Sequence, residues 1–310
     1  MTTVASLNIR KVAGHIGAHV GGIDLSRELA PDTITALRSA LYSHKVLFFR
    51  GHHLNTRQLA QLATHFGQPT AAFPFDSRAS RSPAADLHGA LPTWHADFTC
   101  LYRPPSVGIL RAMAVPAYGG DTLWANTARA YDTLPIGLRD ITDRLRVIHS
   151  MTGSDYDKYR TRPQPNVHVT EHPLVAVHLE TGERALTLGH WVRDVTGLPE
   201  PLTRSLLADL YSYITTPENT VRWHWQENDI ALWDNRTTVH RGVADYDTAQ
   251  PRQLQRITLA GKPLVSPSGE HSRSLSGDDT AYNNTPSTRT RIWSHKFLHH
   301  VIQSRRRQNP

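Results

Sequence analysis

The spacing of apolar residues along the chain predicts several helices. Apolar residues three or four positions apart, as at Ile34, Leu37 and Leu41, would give a helix one apolar face. Asp32, near the start of that stretch, is expected to cap its helix. The helices predicted in this way cover residues 31–44, 56–66, 126–147 and 199–213.

Short apolar runs predict the strands. Residues 7–24 have the pattern of short strands, and the unbroken apolar run at 46–49 is typical of a buried strand. Residues 220–225, a polar turn at 226–229 and a second apolar run at 230–233 predict a hairpin. Strands and helices therefore both contribute, and no internal repeat is visible.

Two polar stretches are too long for ordinary connections. Residues 70–92 are rich in Ala, Ser, Pro and Asp, and residues 153–171 are polar and contain proline. Loops of this length in compact domains are commonly lids or disordered segments. We expect both stretches to be lids, since the first leads directly into the candidate site described below.

The length of the chain favours one large domain, which we expect over residues 1–264, and the distribution of charge indicates an extension over residues 265–310. The net charge is +7, and the stretch from Lys262 to Pro310 holds eight Lys or Arg against three Asp or Glu. The extension is thus polar and basic, and we expect it to be partly disordered. Such a tail could contact nucleic acid. A solvated tail without a nucleic-acid partner is the main expectation, because no aromatic residues are interleaved as a stacking platform.

The lack of a visible membrane span or signal peptide and the low cysteine content favour a cytoplasmic protein. No apolar run approaches the roughly 18 to 20 residues of a membrane span, and the N-terminus lacks the apolar core of a signal peptide. The single cysteine, Cys100, excludes an intramolecular disulfide and fits a reducing compartment. We expect no membrane partner, and we expect a homo-oligomer.

Two histidines and one aspartate form a candidate metal site. His95 and Asp97 are two positions apart, so on a strand both would project to the same face, and His240 follows a predicted strand. Two imidazoles and one carboxylate can bind one face of an Fe(II) octahedron, which leaves three positions for a chelating cosubstrate and O2. Arg252 could bind the distal carboxylate of 2-oxoglutarate through its planar guanidinium. Each residue alone is weak evidence, since the chain holds 19 histidines.

Seven motifs in order make the chain resemble the taurine dioxygenase-like (TauD/TfdA) Fe(II)/2-oxoglutarate-dependent dioxygenases, nearest the alkylsulfatase branch. The motifs are KVLFFRG at 45–51, WHAD at 94–97, YGGDTLWAN at 118–126, TEHP at 170–173, ETGER at 180–184, WDNR at 233–236 and RQLQR at 252–256. The resemblance covers roughly residues 7–265. It implies an α+β fold with a mainly β core, namely a double-stranded β-helix (jelly roll) wrapped by helices and carrying long lid insertions.

The resemblance also implies roles for single residues. His95, Asp97 and His240 would bind Fe(II), and Thr122 and Arg252 would bind the C5 carboxylate of 2-oxoglutarate. The reaction would consume O2, release succinate and CO2, and oxidise a small organic substrate through hydrogen abstraction by a ferryl centre. Whether hydroxylation, desaturation, cyclisation or fragmentation follows depends on how the substrate is placed.

The expected substrate is anionic. Arg256 follows Arg252 by four positions on a predicted strand, so the two side chains share a face. The expected substrate-binding residues are Arg256, Phe73, Phe75, His190 and Trp191. An arginine with aromatic neighbours suits a carboxylate, phosphate or sulfate attached to a sizeable organic body.

Departures from the taurine enzyme argue against taurine and against a simple alkyl sulfate as the substrate. The FGQP turn at 66–69 is not followed by a histidine, and Leu91 stands where the taurine enzyme has an asparagine. The spacing from His240 to Arg252 is also one residue longer. The alternatives are an alkyl sulfate- or sulfonate-cleaving dioxygenase, a nucleotide- or nucleic-acid-acting oxygenase that uses the basic tail, and a metal-binding relative without turnover.

Overall fold

The structure, a computed structural model, describes residues 7–73, 84–151 and 168–283. The α-helices are α1 (Pro31–His44), α2 (Thr56–Thr64), α3 (Thr127–Thr133), α4 (Ile136–Thr142), α5 (Glu200–Ile214) and α6 (Thr280–Asn283), and Pro217–Asn219 is a 3-10 turn. The strands are β1 (Asn8–Lys11), β2 (Ala18–Gly21), β3 (Val46–Phe49), β4 (Ala84–His88), β5 (Val107–Ala114), β6 (Thr122–Asn126), β7 (Arg146–Ser150), β8 (Val169–Pro173), β9 (Val175–Val177), β10 (Arg184–Leu186), β11 (Val192–Val195), β12 (Thr220–Trp223), β13 (Ile230–Asp234), β14 (Thr238–Gly242), β15 (Gln253–Leu259) and β16 (Arg273–Ser276).

The described strands form a sheet-rich α+β fold. The largest sheet has the order β1-β2-β3-β13-β5-β15-β4, and a smaller sheet has the order β12-β6-β14. A third sheet has the order β11-β7-β8-β16, and β9 pairs with β10. Among these strands only β2 and β3 pair in parallel. The α+β class is confirmed, and the jelly roll stays a prediction.

An aromatic core joins the largest sheet to the three-stranded sheet. Phe48 of β3 stacks on Trp223 of β12 with ring centroids 4.1 Å apart, and Trp124 of β6 lies 6.1 Å from Trp233 of β13. Gly108 in β5 makes room for Trp233, because a Cβ at this position would lie 2.1 Å from the indole ring. This packing holds β6 and its neighbour β14 against the sheet that contains β15, and these three strands carry site residues.

The helix predictions hold where periodicity is strong. The helix predicted over 31–44 is confirmed, although no side chain caps it and Asp32 lies in its first turn. The single helix predicted over 126–147 is wrong, since α3, α4 and the start of β7 share that stretch. Pro135 separates the two helices, because proline lacks an N–H and disfavours a helical residue before it. None of the helices in the described ranges has the length and the apolar content of a membrane span.

The hairpin predicted over 220–233 is wrong, because its two strands belong to different sheets. β12 pairs with β6, whereas β13 lies between β3 and β5. The buried carboxylate of Asp229 accepts hydrogen bonds from the backbone of Gln226 at 2.9 Å and from the indole of Trp223 at 3.2 Å. These bonds stabilise a connection that crosses from one sheet to the other, and a pattern of apolar runs does not distinguish this from a hairpin.

The predicted lids are partly sheet. β4 falls within the stretch 70–92 and pairs with β15, and β8 begins within the stretch 153–171. Residues 74–83 of the first stretch, which include Phe75, and residues 153–167 of the second lie outside the described residues.

Residues 265–283 pack against the rest of the domain. β16 pairs with β8, and the carboxylate of Asp279 accepts hydrogen bonds from the backbone N–H of Arg103 at 2.8 Å and from its guanidinium at 3.0 Å. Tyr282 is buried among apolar residues that include Phe98 and Trp191. The boundary predicted at residue 264 is therefore too early, because buried side chains follow it.

Truncation tests this correction. A chain that ends at Leu264 loses β16 and Tyr282, and we expect its free energy of unfolding to fall by about 3 kcal/mol or more, as for removal of a buried aromatic side chain. A chain that ends at Asn283 keeps these contacts and is the matched control. Thermal unfolding followed by circular dichroism compares both with the full chain, and equal Tm values for the two truncations would contradict the correction.

Candidate active site

Main-chain hydrogen bonds hold two candidate metal ligands side by side. The backbone N–H of His95 donates to the carbonyl of His240 at 2.9 Å, and the N–H of His240 donates to the carbonyl of His95 at 2.7 Å. This isolated bridge ties His95 to β14, and the two imidazole centroids are 4.1 Å apart. The strand expected at His95 is reduced to this bridge, and Asp97 lies in the turn that follows.

The three predicted ligands converge. One ligand atom from each of His95, Asp97 and His240 lies within 4.8 Å of the others, and this is the one such cluster in the described residues. His95 Nδ1 donates to the carbonyl of Thr93 at 2.9 Å, which leaves the Nε2 lone pair for a metal. Asn235 fixes the backbone of Asp97, because its Oδ1 accepts from the Asp97 N–H at 2.8 Å and its Nδ2 donates to the Asp97 carbonyl at 3.1 Å. Asn235 belongs to the motif WDNR at 233–236, but no role was predicted for it.

Burial and unpaired atoms at the cluster fit a divalent cation. Asp97 Oδ2 and His240 Nδ1 are buried and have no hydrogen-bond partner within the described ranges. Burial lowers the pKa of His95 and holds the pKa of His240 well below its ordinary value, so both rings are neutral at neutral pH. Metals require neutral imidazoles and ionised carboxylates, and a buried carboxylate oxygen without a hydrogen-bond donor is costly unless a metal binds it. Two nitrogens and one carboxylate are the donor set that suits Fe(II).

Thr122 and Arg252 form a polar corner of the cavity beside the cluster. The guanidinium of Arg252 is oriented by two carbonyls, that of Gly120 at 2.7 Å from Nε and that of Gly89 at 2.5 Å from Nη1. Arg252 Nη2 lies 3.3 Å from Thr122 Oγ1, which also accepts from the indole of Trp225 at 2.9 Å. With its oxygen accepting, the Thr122 hydroxyl can donate its own proton to a bound carboxylate.

Two charged residues that sequence reasoning missed hold the glycine turn at this corner. Asp245 Oδ1 accepts from the backbone N–H of Gly120 at 2.9 Å, and Asp245 Oδ2 accepts from Arg222 at 2.7 Å. Arg222 also forms an ion pair with Asp121, which directly precedes Thr122. Both residues are far from Thr122 in sequence, so no local pattern indicated them.

Arg256 contacts one of the three candidate metal ligands directly. Its Nη1 donates to Asp97 Oδ1 at 2.6 Å, and its guanidinium carbon lies 4.7 Å from the ring centroid of Phe98 and 5.8 Å from that of Phe73. Nη2 is buried without a hydrogen-bond partner in the part of the chain that the structure describes. The structure places Arg256 in the lining of the cavity, and its bond to Asp97 was not expected.

One cavity of about 320 Å³ joins these groups. Its polar lining includes His95, Asp97, His240, Thr122, Arg252 and Arg256. Its apolar lining includes Phe73, Leu87, Leu91, Phe98, Leu110, Trp191 and Leu254. The structure thus brings together eight of the ten predicted site residues, with Phe75 outside the described residues and His190 outside the cavity lining.

The wall residue Trp191 also has a structural contact. Its indole N–H donates to the carbonyl of Ala96, between the two ligands His95 and Asp97, at 2.9 Å. The backbone N–H of the neighbouring His190 donates to Trp94 at 2.8 Å. The segment that faces the cluster is therefore tied to the backbone of the ligand segment itself.

Comparison with known proteins gives consistent matches. Residues 8–258 match the family described as taurine catabolism dioxygenase TauD, TfdA family. The chain is 41% identical over 286 residues to the alpha-ketoglutarate-dependent sulfate ester dioxygenase of Pseudomonas putida, which covers 86% of this chain and 94% of that protein. It is 38% identical over 288 residues to an alkylsulfatase of Acinetobacter baylyi, with 85% and 88% covered. A crystal structure of a taurine dioxygenase from Burkholderia xenovorans superposes with a TM-score of 0.79 at 36% identity, over 90% of this chain and all of that one.

Proposed function

The chain belongs to the TauD, TfdA family and is an Fe(II)/2-oxoglutarate-dependent dioxygenase, and from this premise we propose that it cleaves sulfate esters of small organic alcohols. The observation that carries the proposal is the buried guanidinium of Arg256, whose Nη2 is unpaired in the described structure at an otherwise largely apolar wall. Arg256 is already paired with Asp97 through Nη1, but a buried N–H donor such as Nη2 is costly without a hydrogen-bond acceptor of its own. A sulfate monoester supplies the anion for Nη2 and an organic body for the apolar wall.

We assign the remaining groups from their contacts. His95, Asp97 and His240 hold Fe(II), and Thr122 and Arg252 bind the distal carboxylate of 2-oxoglutarate. Bound Fe(II) supplies oxidation of a substrate C–H bond by O2 while 2-oxoglutarate is converted to succinate and CO2. Oxygen inserted at the carbon that bears the sulfate gives an unstable hydroxylated ester, whose C–O bond breaks to leave an aldehyde, sulfate and a proton.

The protein contributes position and exclusion of water. Arg256 bonds to Asp97 through Nη1, so an anion on Nη2 lies next to a metal ligand. Phe73, Phe98 and Trp191 line the same cavity and offer an apolar wall to the organic body of the ester. Substrate positioning of this kind accounts for much of the rate that enzymes gain over solution.

The sequence departures that argued against an alkyl sulfate carry less weight than the relatives. A histidine after the FGQP turn is missing, but the two named relatives act, by their names, on sulfate esters and alkyl sulfates. The jelly-roll topology, the cytoplasmic location and the homo-oligomer are further proposals. Aromatic packing between the largest sheet and the three-stranded sheet supports the jelly roll, and the single cysteine supports the cytoplasmic location.

Product analysis tests the proposal. With Fe(II), 2-oxoglutarate and O2, we expect linear and aryl-substituted alkyl sulfates to stimulate succinate release, with one sulfate formed per succinate. Arg256→Gln should suppress the stimulated rate by about tenfold or more, as for loss of a charge-assisted hydrogen bond, and should spare the slow succinate release without substrate. Iron binding is measured in parallel by equilibrium dialysis, because Arg256 contacts Asp97.

The control compounds are carboxylates that carry the same alkyl or aryl-substituted groups as the sulfate esters. Stimulation by carboxylates and not by sulfate esters would reject sulfate esters as the substrate class. Equal loss of the stimulated and unstimulated rates in Arg256→Gln would place Arg256 with the cosubstrate or the metal.

A further inference from the structure

Tyr282 lies behind the wall of the active-site cavity, although it is outside residues 8–258 that match the family. Its side chain is 2% exposed, and its ring meets that of Phe98 edge-on with centroids 5.7 Å apart. The ring of Phe98 in turn lies under the guanidinium of Arg256. The segment that follows the family match therefore reaches the substrate-binding side of the cavity through one aromatic ring.

A chain of three hydroxyl groups runs beside this ring. The Tyr282 hydroxyl lies 2.9 Å from Thr258 Oγ1, which lies 2.7 Å from Thr70 Oγ1. Thr258 and Arg256 are two positions apart on β15, so their side chains leave the same face of the strand. Burial raises the pKa of the Tyr282 phenol, which therefore stays protonated at neutral pH and can serve as a donor.

The main chain of Tyr282 contacts the other aromatic neighbour of Arg256. Its carbonyl accepts the N–H of Ala71 at 3.0 Å, two residues before Phe73. Phe73 packs on the cluster that contains Tyr282 and Phe98. Tyr282 thus supports both aromatic residues that flank the guanidinium of Arg256.

We propose that Tyr282 is a positioning residue for the substrate. It holds Phe98 and the Phe73 segment in place on either side of Arg256, and so fixes where Arg256 Nη2 presents the substrate anion relative to the metal ligands. The inference rests on the proposed function, in which Nη2 binds the anion. An aromatic face favours one orientation of a guanidinium, and displacement of a reacting group by about 1 Å can cost about a hundredfold in rate.

If Tyr282 positions the substrate, it controls how tightly the consumption of 2-oxoglutarate is coupled to oxidation of the substrate. A misplaced substrate still triggers consumption of 2-oxoglutarate, but its C–H bond is no longer aligned for oxidation. More succinate is then formed for each sulfate released. Loss of stability reduces the amount of folded enzyme and lowers both products together, so the ratio separates positioning from a purely structural role.

The test compares Tyr282→Phe, Tyr282→Leu and the control Tyr131→Phe in the full-length chain. Tyr131 is also a buried tyrosine, but its hydroxyl donates to Asp143 at 3.2 Å, away from the cavity lining. For Tyr282→Leu we expect the KM for an alkyl sulfate and the succinate-to-sulfate ratio to rise about tenfold. For Tyr282→Phe, which loses only a hydrogen bond, we expect a rise of about twofold. The KM for 2-oxoglutarate should stay unchanged in both, and Tyr131→Phe should keep the wild-type ratio.

The outcomes separate this inference from the proposed function. If alkyl sulfates stimulate the wild-type enzyme and Tyr282→Phe and any folded Tyr282→Leu keep the wild-type ratio, the positioning role is rejected and the proposed function stands. If Tyr282→Leu does not fold, the ratio of Tyr282→Phe decides alone. If alkyl sulfates do not stimulate the wild-type enzyme, the proposed function fails and this inference fails with it.

Discussion

We expect the His240→Ala enzyme to remain folded and to lose 2-oxoglutarate turnover. The bridge between His240 and His95 uses main-chain atoms only, and alanine keeps these atoms. The variant loses one of three ligands, and activity should fall by more than about a hundredfold. Even mutation of residues that only hydrogen-bond to metal ligands lowers metal affinity or activity about 10- to 100-fold. Succinate release, equilibrium dialysis of Fe(II) and thermal unfolding measure the three effects.

The same experiment on the other ligands distinguishes their surroundings. His95→Ala should behave like His240→Ala, whereas Asp97→Ala should also lower the free energy of unfolding by about 3 kcal/mol, because it leaves Arg256 as a buried unpaired cation. The control is His53→Ala at an exposed position, for which we expect wild-type activity. Normal turnover in any of the three ligand variants would reject the metal assignment.

Replacement of Arg252 with glutamine should raise the KM for 2-oxoglutarate about tenfold or more and leave Fe(II) binding intact. The variant loses a charge-assisted contact worth roughly 1.5 to 3 kcal/mol. Glutamine also cannot reach the carbonyls of Gly89 and Gly120 together, so the corner loses its support. Steady-state succinate release at varied 2-oxoglutarate, with Fe(II) dialysis in parallel, measures both quantities.

Arg252→Lys is the matched control for charge without the planar fork. We expect its KM for 2-oxoglutarate to lie between those of the wild type and the glutamine variant, because lysine keeps the charge but makes no bidentate contact. If neither substitution changes this KM, the cosubstrate arginine must be another residue, and Arg256 is the next candidate.

Much of the metal site was predictable because its residues are defined by short local patterns. The H-x-D pair, the later histidine and the trailing arginine each lie on or beside an apolar segment, and packing of those segments brings them together. The helix over 31–44 was predictable for a similar reason, since three apolar residues at helical spacing define one face.

Contacts between distant segments were not predictable from local patterns. Asp245 and Arg222 support the glycine turn at Gly120 from positions more than one hundred residues away in sequence. The bond from Arg256 to Asp97 likewise depends on the packing of β15 beside the ligand turn. The separate sheets of β12 and β13 followed from aromatic packing around Trp233, which an apolar run does not specify.

The main-chain bridge between His95 and His240 bears on how this enzyme can evolve. Because backbone atoms set the distance between the two ligand residues, substitutions at Leu91 or Phe73 can reshape the cavity without moving the imidazoles. Trp191 is the exception, since its indole is bonded to the carbonyl between the ligands. Substitutions at Leu91 and Phe73 can therefore change which substrates the enzyme accepts, while the metal ligands and the oxidation chemistry stay the same.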